Sequence, residues 1–307
     1  TNASTLAPAG LLVEQASTNL VYPSQGAAGY TGYTNNASTY LSNNATSPDG
    51  TATATQVSET TANAFHGVNS TSHVTTIGTA ATFSFYAKAG TATVIQALTG
   101  SNISATFWAN FDLSGGAIGS VGAGTTASMV SVGNGWYRCI MTGTAAATTG
   151  DIFVGFANNN TAASRAPSYV GNASQNFYFY GLQAETLSFA TSLIPTTSAT
   201  VTRTADVVQF AGVPLAALKS ATGSFVAQTQ LRANDTSTYQ AVLAANDGVN
   251  FPVPTYWYTS PKHANAYNGT NFLSAANTLD LTASQRIATA WSASGRSLVA
   301  SGGTVAS

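Results

Sequence analysis

Residues 176–184 read Asn-Phe-Tyr-Phe-Tyr-Gly-Leu-Gln-Ala, and their strict alternation constrains the fold more than any other stretch of the chain. A period of two is the side-chain repeat of a strand, since successive Cβ atoms point to opposite faces of a sheet. Phe177 and Phe179 fall on one face, and Tyr178, Tyr180 and Leu182 on the other, so both faces of this strand are expected to be covered. Gly181 suits a bulge or a close backbone approach. After Leu187, Phe189 and Ile194-Pro195 the chain enters a Thr/Ser run, and alternation resumes over residues 201–210.

The same reading extends to the rest of the first two hundred residues. Thr82-Phe83-Ser84-Phe85-Tyr86-Ala87 alternates, and residues 94–98 form a short apolar strand. In residues 105–113, Phe107, Phe111 and Leu113 point inward while Trp108, Asn110 and Asp112 share the other face. Residues 51–57, 136–141 and 151–157 supply further strands, and Leu11, Leu12, Val13, Leu20 and Val21 the first ones. Glycine punctuates them: Pro48-Asp49-Gly50, Gly115-Gly116 and Gly133-Asn134-Gly135 are turn signals, because Asn and Gly accept a left-handed corner and Pro presets φ. Residues 30–44 read as a loop on their glycine and asparagine content. Regular spacing of short strands with no sustained helical period points to an all-β chain of antiparallel sandwiches.

Composition limits function. Of 307 residues, 6% are charged and 44% apolar, with a net charge of −1. Ordinary domains carry about a quarter charged residues, so Thr, Ser, Asn, Gln and Gly must cover this surface. Nine basic residues, scattered singly, form no patch that could neutralise phosphates, so no nucleic-acid partner is expected. No apolar run reaches the length of a membrane span. The single cysteine, Cys139, excludes an internal disulfide, and its neighbours on the same face, Tyr137 and Met141, make it a small buried hydrophobe.

Catalytic patterns are missing. The ten acids are spread along the chain, His66, His73 and His263 lack metal-ligand spacing, and no Gly-x-Ser-x-Gly elbow or phosphate loop occurs. The expectation is a chain that is not an enzyme and takes no cofactor or metal. Sugar binding needs less: a flat aromatic for the apolar face of a pyranose, with amides or carboxylates for its hydroxyls. Two places offer this. One is Trp108 with Asn110 and Asp112, which could instead pack under a loop or against a second subunit. The other is Tyr256-Trp257-Tyr258 followed by His263, Asn265 and Tyr267, where Pro252, Pro254 and Pro261 are expected to confine the segment to an edge or loop.

The stretch "GLQAETLSFATSLIPTTSATVTRTAD" resembles a segment of bacteriophage tail-fibre and other virion proteins, where a carbohydrate-binding-module-like jelly roll ends in a Gly-x-Gln-x-Glu strand followed by a connector. The entry "GLLVEQASTNL", the "PDG" turn and "GNGWYRC" are similar to other parts of that module. Farther on, "GSFVAQTQL", "NAYNGTNF" and "QRIATAWSASGRSL" look like a concanavalin-A-like (laminin-G-like) lectin sandwich, preceded by one helix candidate over residues 213–221. The resemblance implies a jelly roll over residues 1–187, an extended connector over 188–206, and a concanavalin-A-like sandwich over 207–307, ending where one more strand would be expected. The first residue being Thr, the sequence is read as a portion of a longer chain.

With the resemblance comes an expected function. The chain would be a non-enzymatic component of the exterior of a phage particle, a tail or head fibre. Its partners would be copies of itself, other virion proteins and host-surface polysaccharide. Homotrimers are usual among such fibres, although nothing in these residues sets the number three. The alternatives are the carbohydrate-binding region of a secreted polysaccharide-degrading enzyme and a ligand-free capsid decoration protein.

Overall fold

The structure is a computed structural model, and the residues it describes are 12–25, 33–70, 73–100, 103–206, 222–230, 240–243, 255–259, 263–267, 272–274, 283–292 and 295–300. The described residues are all-β, with antiparallel pairing throughout and no helix among them. The helix candidate at 213–221 lies outside them. The chain divides into two compact units, Thr1–Val207 and Val208–Ser307.

In the first unit the strands run β1 (Ser17–Asn19), β2 (Thr34–Asn36), β3 (Ser38–Ala45), β4 (Ala54–Glu59), β5 (Asn63–Ala64), β6 (Gly67–Asn69), β7 (His73–Val74), β8 (Ala80–Ala89) and β9 (Val94–Thr99). They continue as β10 (Trp108–Asp112), β11 (Ala117–Val121), β12 (Thr126–Gly133), β13 (Trp136–Thr144), β14 (Thr149–Gly150), β15 (Ile152–Phe156), β16 (Tyr169–Val170), β17 (Asn176–Glu185) and β18 (Val201–Arg203). Two six-stranded sheets form a β-sandwich. One has the order β11-β10-β9-β15-β6-β2, and the other β12-β13-β8-β17-β4-β3. Three two-stranded ribbons, β1-β18, β14-β7 and β16-β5, complete the unit.

The core is built by the inward residues of the alternating strands. Phe83 and Phe85 from β8 and Phe177 from β17 meet Phe107, Phe111 and Phe156 from the other sheet. Phe85–Phe111 and Phe156–Phe177 are edge-on, with centroids 5.9 and 4.9 Å apart. This is the geometry in which the positive ring edge meets the negative face, adding about 0.5–1.5 kcal/mol per pair beyond burial. Cys139 and Met141 share this core at 0% exposure, and burial raises the Cys139 thiol pKa well above its usual value.

Three sequence expectations need correction. Leu182 lies with Phe177 and Phe179 in the core rather than with the tyrosines. The register of β17 against β8 shifts between Tyr180 and Gln183, and Gly181 adopts φ +67°, so a bulge inverts the phase of the strand. Residues 34–45 are strands rather than a loop. Asn35 and Asn36 pair with β6 and residues 38–41 with β4, while Ala37 and Asn43 take positive φ where the chain turns and jogs. Of the expected first strands, Leu12 and Val13 are exposed and outside any strand; β1 is the polar Ser17–Asn19 instead. The turns at Gly50, Gly116 and Gly133-Asn134-Gly135 do carry the left-handed backbone expected of them.

In the second unit, β19 (Gly223–Thr229) is followed by β20 (Gln240–Leu243), β21 (Thr255–Thr259), β22 (His263–Tyr267), β23 (Phe272–Ser274), β24 (Gln285–Ser292) and β25 (Gly295–Ala300). They form one sheet of order β19-β24-β25 and another of order β20-β21-β22-β23. Ile287, Leu298 and Ala300 are buried.

Candidate functional site

The motif that carries the family resemblance closes the first unit. Beyond the Gly181 bulge, Gln183 and Glu185 turn to the outer face of their sheet, where both are fully buried. Glu185 accepts from Ser17 Oγ at 2.6 Å, Thr191 N at 3.0 Å, Thr191 Oγ1 at 2.5 Å and Gln183 Nε2 at 2.8 Å. Gln183 Oε1 accepts from Ile194 N at 2.7 Å. Asn19 acts from the N-terminal side, donating to Leu182 O and Ile194 O and accepting from Val21 N and Ala184 N. Arg138 donates to Ser84 Oγ and Thr191 O, with its guanidinium 5.7 Å from the Tyr86 ring centroid.

The clasp extends to the end of the unit. Glu14 accepts from Ser192 N at 2.9 Å and pairs with Arg203 at 2.7 Å, while Glu14 and Asp206 exchange two further hydrogen bonds of 2.9 Å. Residues 14–25 and 190–206 are thus pinned onto β17 and to one another. The conspicuous Gln, Glu, Thr and Arg of this motif are structural, since the hydrogen bonds traced here all run inside the unit.

The first sugar-binding candidate is covered. Trp108, Asn110 and Asp112 do share the non-core face of β10, but Trp108 is 7% and Asn110 0% exposed. Asn110 accepts from Gln96 Nε2 at 2.8 Å and donates to Ala162 O at 2.9 Å and Asn160 O at 3.3 Å. Gln96, its neighbour on β9, donates to Ser164 O and accepts from Ala166 N. Residues 160–166 are therefore bonded across this face, which uses the amide N–H donors of Asn110 and Gln96 and buries both side chains away from a ligand. Asp112 caps its own turn: Ser114 donates through both Oγ and N, which holds the carboxyl pKa below the usual range. The lone Gln96 inside the apolar run 94–98 was the sequence signal for this covering loop, because a polar side chain there needs a partner off the sheet.

In the second candidate, pairing places the residues. β21 is an inner strand between β20 and β22, not an edge or loop. Pro252, Pro254 and Pro261 lie outside the described residues, and the described strand itself, Thr255–Thr259, contains no proline. Trp257 stands opposite Asn265, Thr259 opposite His263 and Thr255 opposite Tyr267. Trp257, His263, Asn265 and Tyr267 consequently occupy one face of the sheet. Tyr256 and Tyr258, opposite Ala266 and Ala264, occupy the other.

A further acid–phenol contact lies in the first unit, between Asp49 and Tyr180. Tyr180 donates to Asp49 Oδ2 at 2.7 Å, and Ser47 and Thr51 donate to Oδ1. Desolvation opposes ionisation of Asp49, yet these donors together hold its pKa well below the ordinary value. Burial, and then the bond to Asp49, raise the Tyr180 phenol. The donors of this constellation come from a tight turn and a core-flanking tyrosine. It orders the 47–51 turn and offers no proton acceptor of raised pKa for acid–base chemistry.

Among the described residues no three His, Cys, Asp or Glu side chains gather as metal ligands, and no helix is long and apolar enough to cross a membrane. Comparison of the chain with models of known families and with curated proteins finds no match to either.

Proposed function

We propose that this chain is a non-enzymatic structural component of a bacteriophage particle, a tail or head fibre whose sandwich modules meet polysaccharide on the host surface. The observation that carries the glycan contact is the register of β21 and β22. It puts Trp257 beside Asn265, with His263 and Tyr267 on the same face, which is the aromatic-plus-amide set that a pyranose requires. The phage assignment rests on the resemblance of residues 1–25 and 181–206 to virion modules. The clasped termini suit such a role, because a displayed module gains from ends that are pinned together.

Contact belongs to the second unit, since the corresponding face of β10 is covered in the first. Single sites of this kind bind weakly, and many copies on one particle raise avidity by about 10²–10⁴ through effective concentration. The partners are copies of the chain, other virion proteins and the host polysaccharide, at the exterior of the particle.

The test is binding of the whole chain to an array of bacterial surface polysaccharides, alongside Trp257→Ala and Trp108→Ala. Binding lost in Trp257→Ala with unchanged thermal unfolding is the expected outcome. No binding by the parent chain leaves a ligand-free decoration protein. Release of reducing ends that one Asp or Glu substitution abolishes makes the chain part of a polysaccharide-degrading enzyme.

A further inference from the structure

A sandwich of two open sheets has four edges, and unpaired edges invite strand addition unless they are short, bulged, charged or covered. Three edges of the first unit are guarded in this way. β2 is three residues long and is followed by Ala37 at φ 41°. β3 loses register between Leu41 and Ala45, with Asn43 at φ 54°. β11 is irregular against β10, and its Ser120 N–H is already taken by Asn160 O at 2.9 Å.

The fourth edge, β12, has none of these devices. Thr126–Ser131 pairs with β13 without a break, and its first irregularity comes only at Gly133. The strand, TASMVSVG, contains no proline and no charged residue. Val130 and Val132 are 53% and 37% exposed, while Ala127 and Met129 pack on the core. Among the described residues, none bonds to the outward backbone groups of residues 126–131.

We infer that β12 is the contact by which two copies of this chain pair, antiparallel and about a two-fold axis, joining two six-stranded sheets into one of twelve. The occupant is a second copy because a two-fold contact sets each residue against the same strip of its partner, where any charge would meet its own sign. β12 and the neighbouring β11 carry no charge. Such a strip matches itself and offers nothing to steer a charged partner. The axis must pass through a residue, because outward residues have to face outward residues. Centred on Met129, it sets Ser128 of each copy against Val130 of the other, a small hydroxyl beside a β-branched side chain. This contact is independent of the glycan reading and gives a dimer, not a three-fold fibre.

The experiment is light scattering after size exclusion on the whole chain, with Ser128→Lys/Val130→Lys and, as a control on the guarded edge, Leu41→Lys. The doubled lysines would stand against lysines across the axis. The expected result is two chains for the parent and for Leu41→Lys, and one for the double variant with an unchanged circular dichroism spectrum. A parent that stays single at the highest attainable concentration leaves the edge to a strand of some other protein and overturns the inference. A three-chain parent, or a folded double variant that still pairs, does the same. If the double variant does not fold, hydrogen exchange on the parent decides: the amides of residues 126–131 that point away from β13 should lose protection on dilution, and protection of those amides that is independent of concentration refutes the contact.

Discussion

The outer faces of the two sheets in the first unit are both closed by polar side chains, but with different chemistry. On the β8–β17 sheet the closing groups are the acid and guanidinium side chains Glu185, Glu14 and Arg203, and they tie together residues 160 to 190 positions apart. On the β9–β10 sheet they are the neutral amides Gln96 and Asn110, which hold a loop about 50 to 70 positions away. A carboxylate takes several donors at once, so one glutamate can gather Ser17, Gln183 and Thr191. An amide has both donor and acceptor ends and suits a loop that presents carbonyls and N–H groups alternately. The carboxylate and guanidinium closure sits where the two ends of the first unit are held, and the amide one where a nearby loop only needs docking.

Removing the charged closure should have the largest effect. Glu185→Ala leaves Ser17, Gln183 and Thr191 without their acceptor in a dry site, and a loss of about 3–5 kcal/mol is expected in urea unfolding. A loss no greater than that of Asn110→Ala would erase the distinction between the two faces. Asn110→Ala itself should cost about 1–3 kcal/mol and increase hydrogen exchange in residues 159–166, while leaving residues 190–196 protected. Protection lost at both places would mean that the two closures are coupled.

Gly181→Ala probes the bulge that turns Glu185 outward. Its Cβ would lie 3.0 Å from Leu193 and Tyr86 atoms at a φ of +67°, and about 1–2 kcal/mol of destabilisation should follow, read as a lower unfolding midpoint. The smallest effect concerns pH. Asp49 has a lowered folded pKa, so its contribution is present above the unfolded value of about 3.9 and fades as pH falls toward the folded one. Asp49→Asn should therefore lower stability slightly at neutral pH, leave it nearly unchanged at the lowest pH, and so flatten the acid limb of the stability profile. An acid limb unchanged in Asp49→Asn would place the acid sensitivity elsewhere.

Much of the core was legible from alternation. Phe83, Phe85, Phe107, Phe111, Phe177 and Phe179 all point where a period of two sends them. Leu182 did not, because a single extra residue at a bulge inverts every later position, and no periodicity announces where that happens beyond the glycine itself. The Asn-rich strands β2 and β3 were illegible for another reason: edge strands are held by backbone pairing and need no apolar face. Trp108 and Asn110 were correctly placed on the outward side of β10. Outward on a strand is not outward to solvent, however, and only the packing of residues 159–166 decides between them.

The sequence alone determined that this chain is β-structured, sparsely charged and punctuated by left-handed turns, because composition is read directly and the rest follows from local backbone sterics and side-chain alternation. Tertiary structure decided which polar residues are spent and which are displayed. Satisfying a buried amide or carboxylate depends on groups scores of residues away, and that pairing exists only once the sheets have stacked.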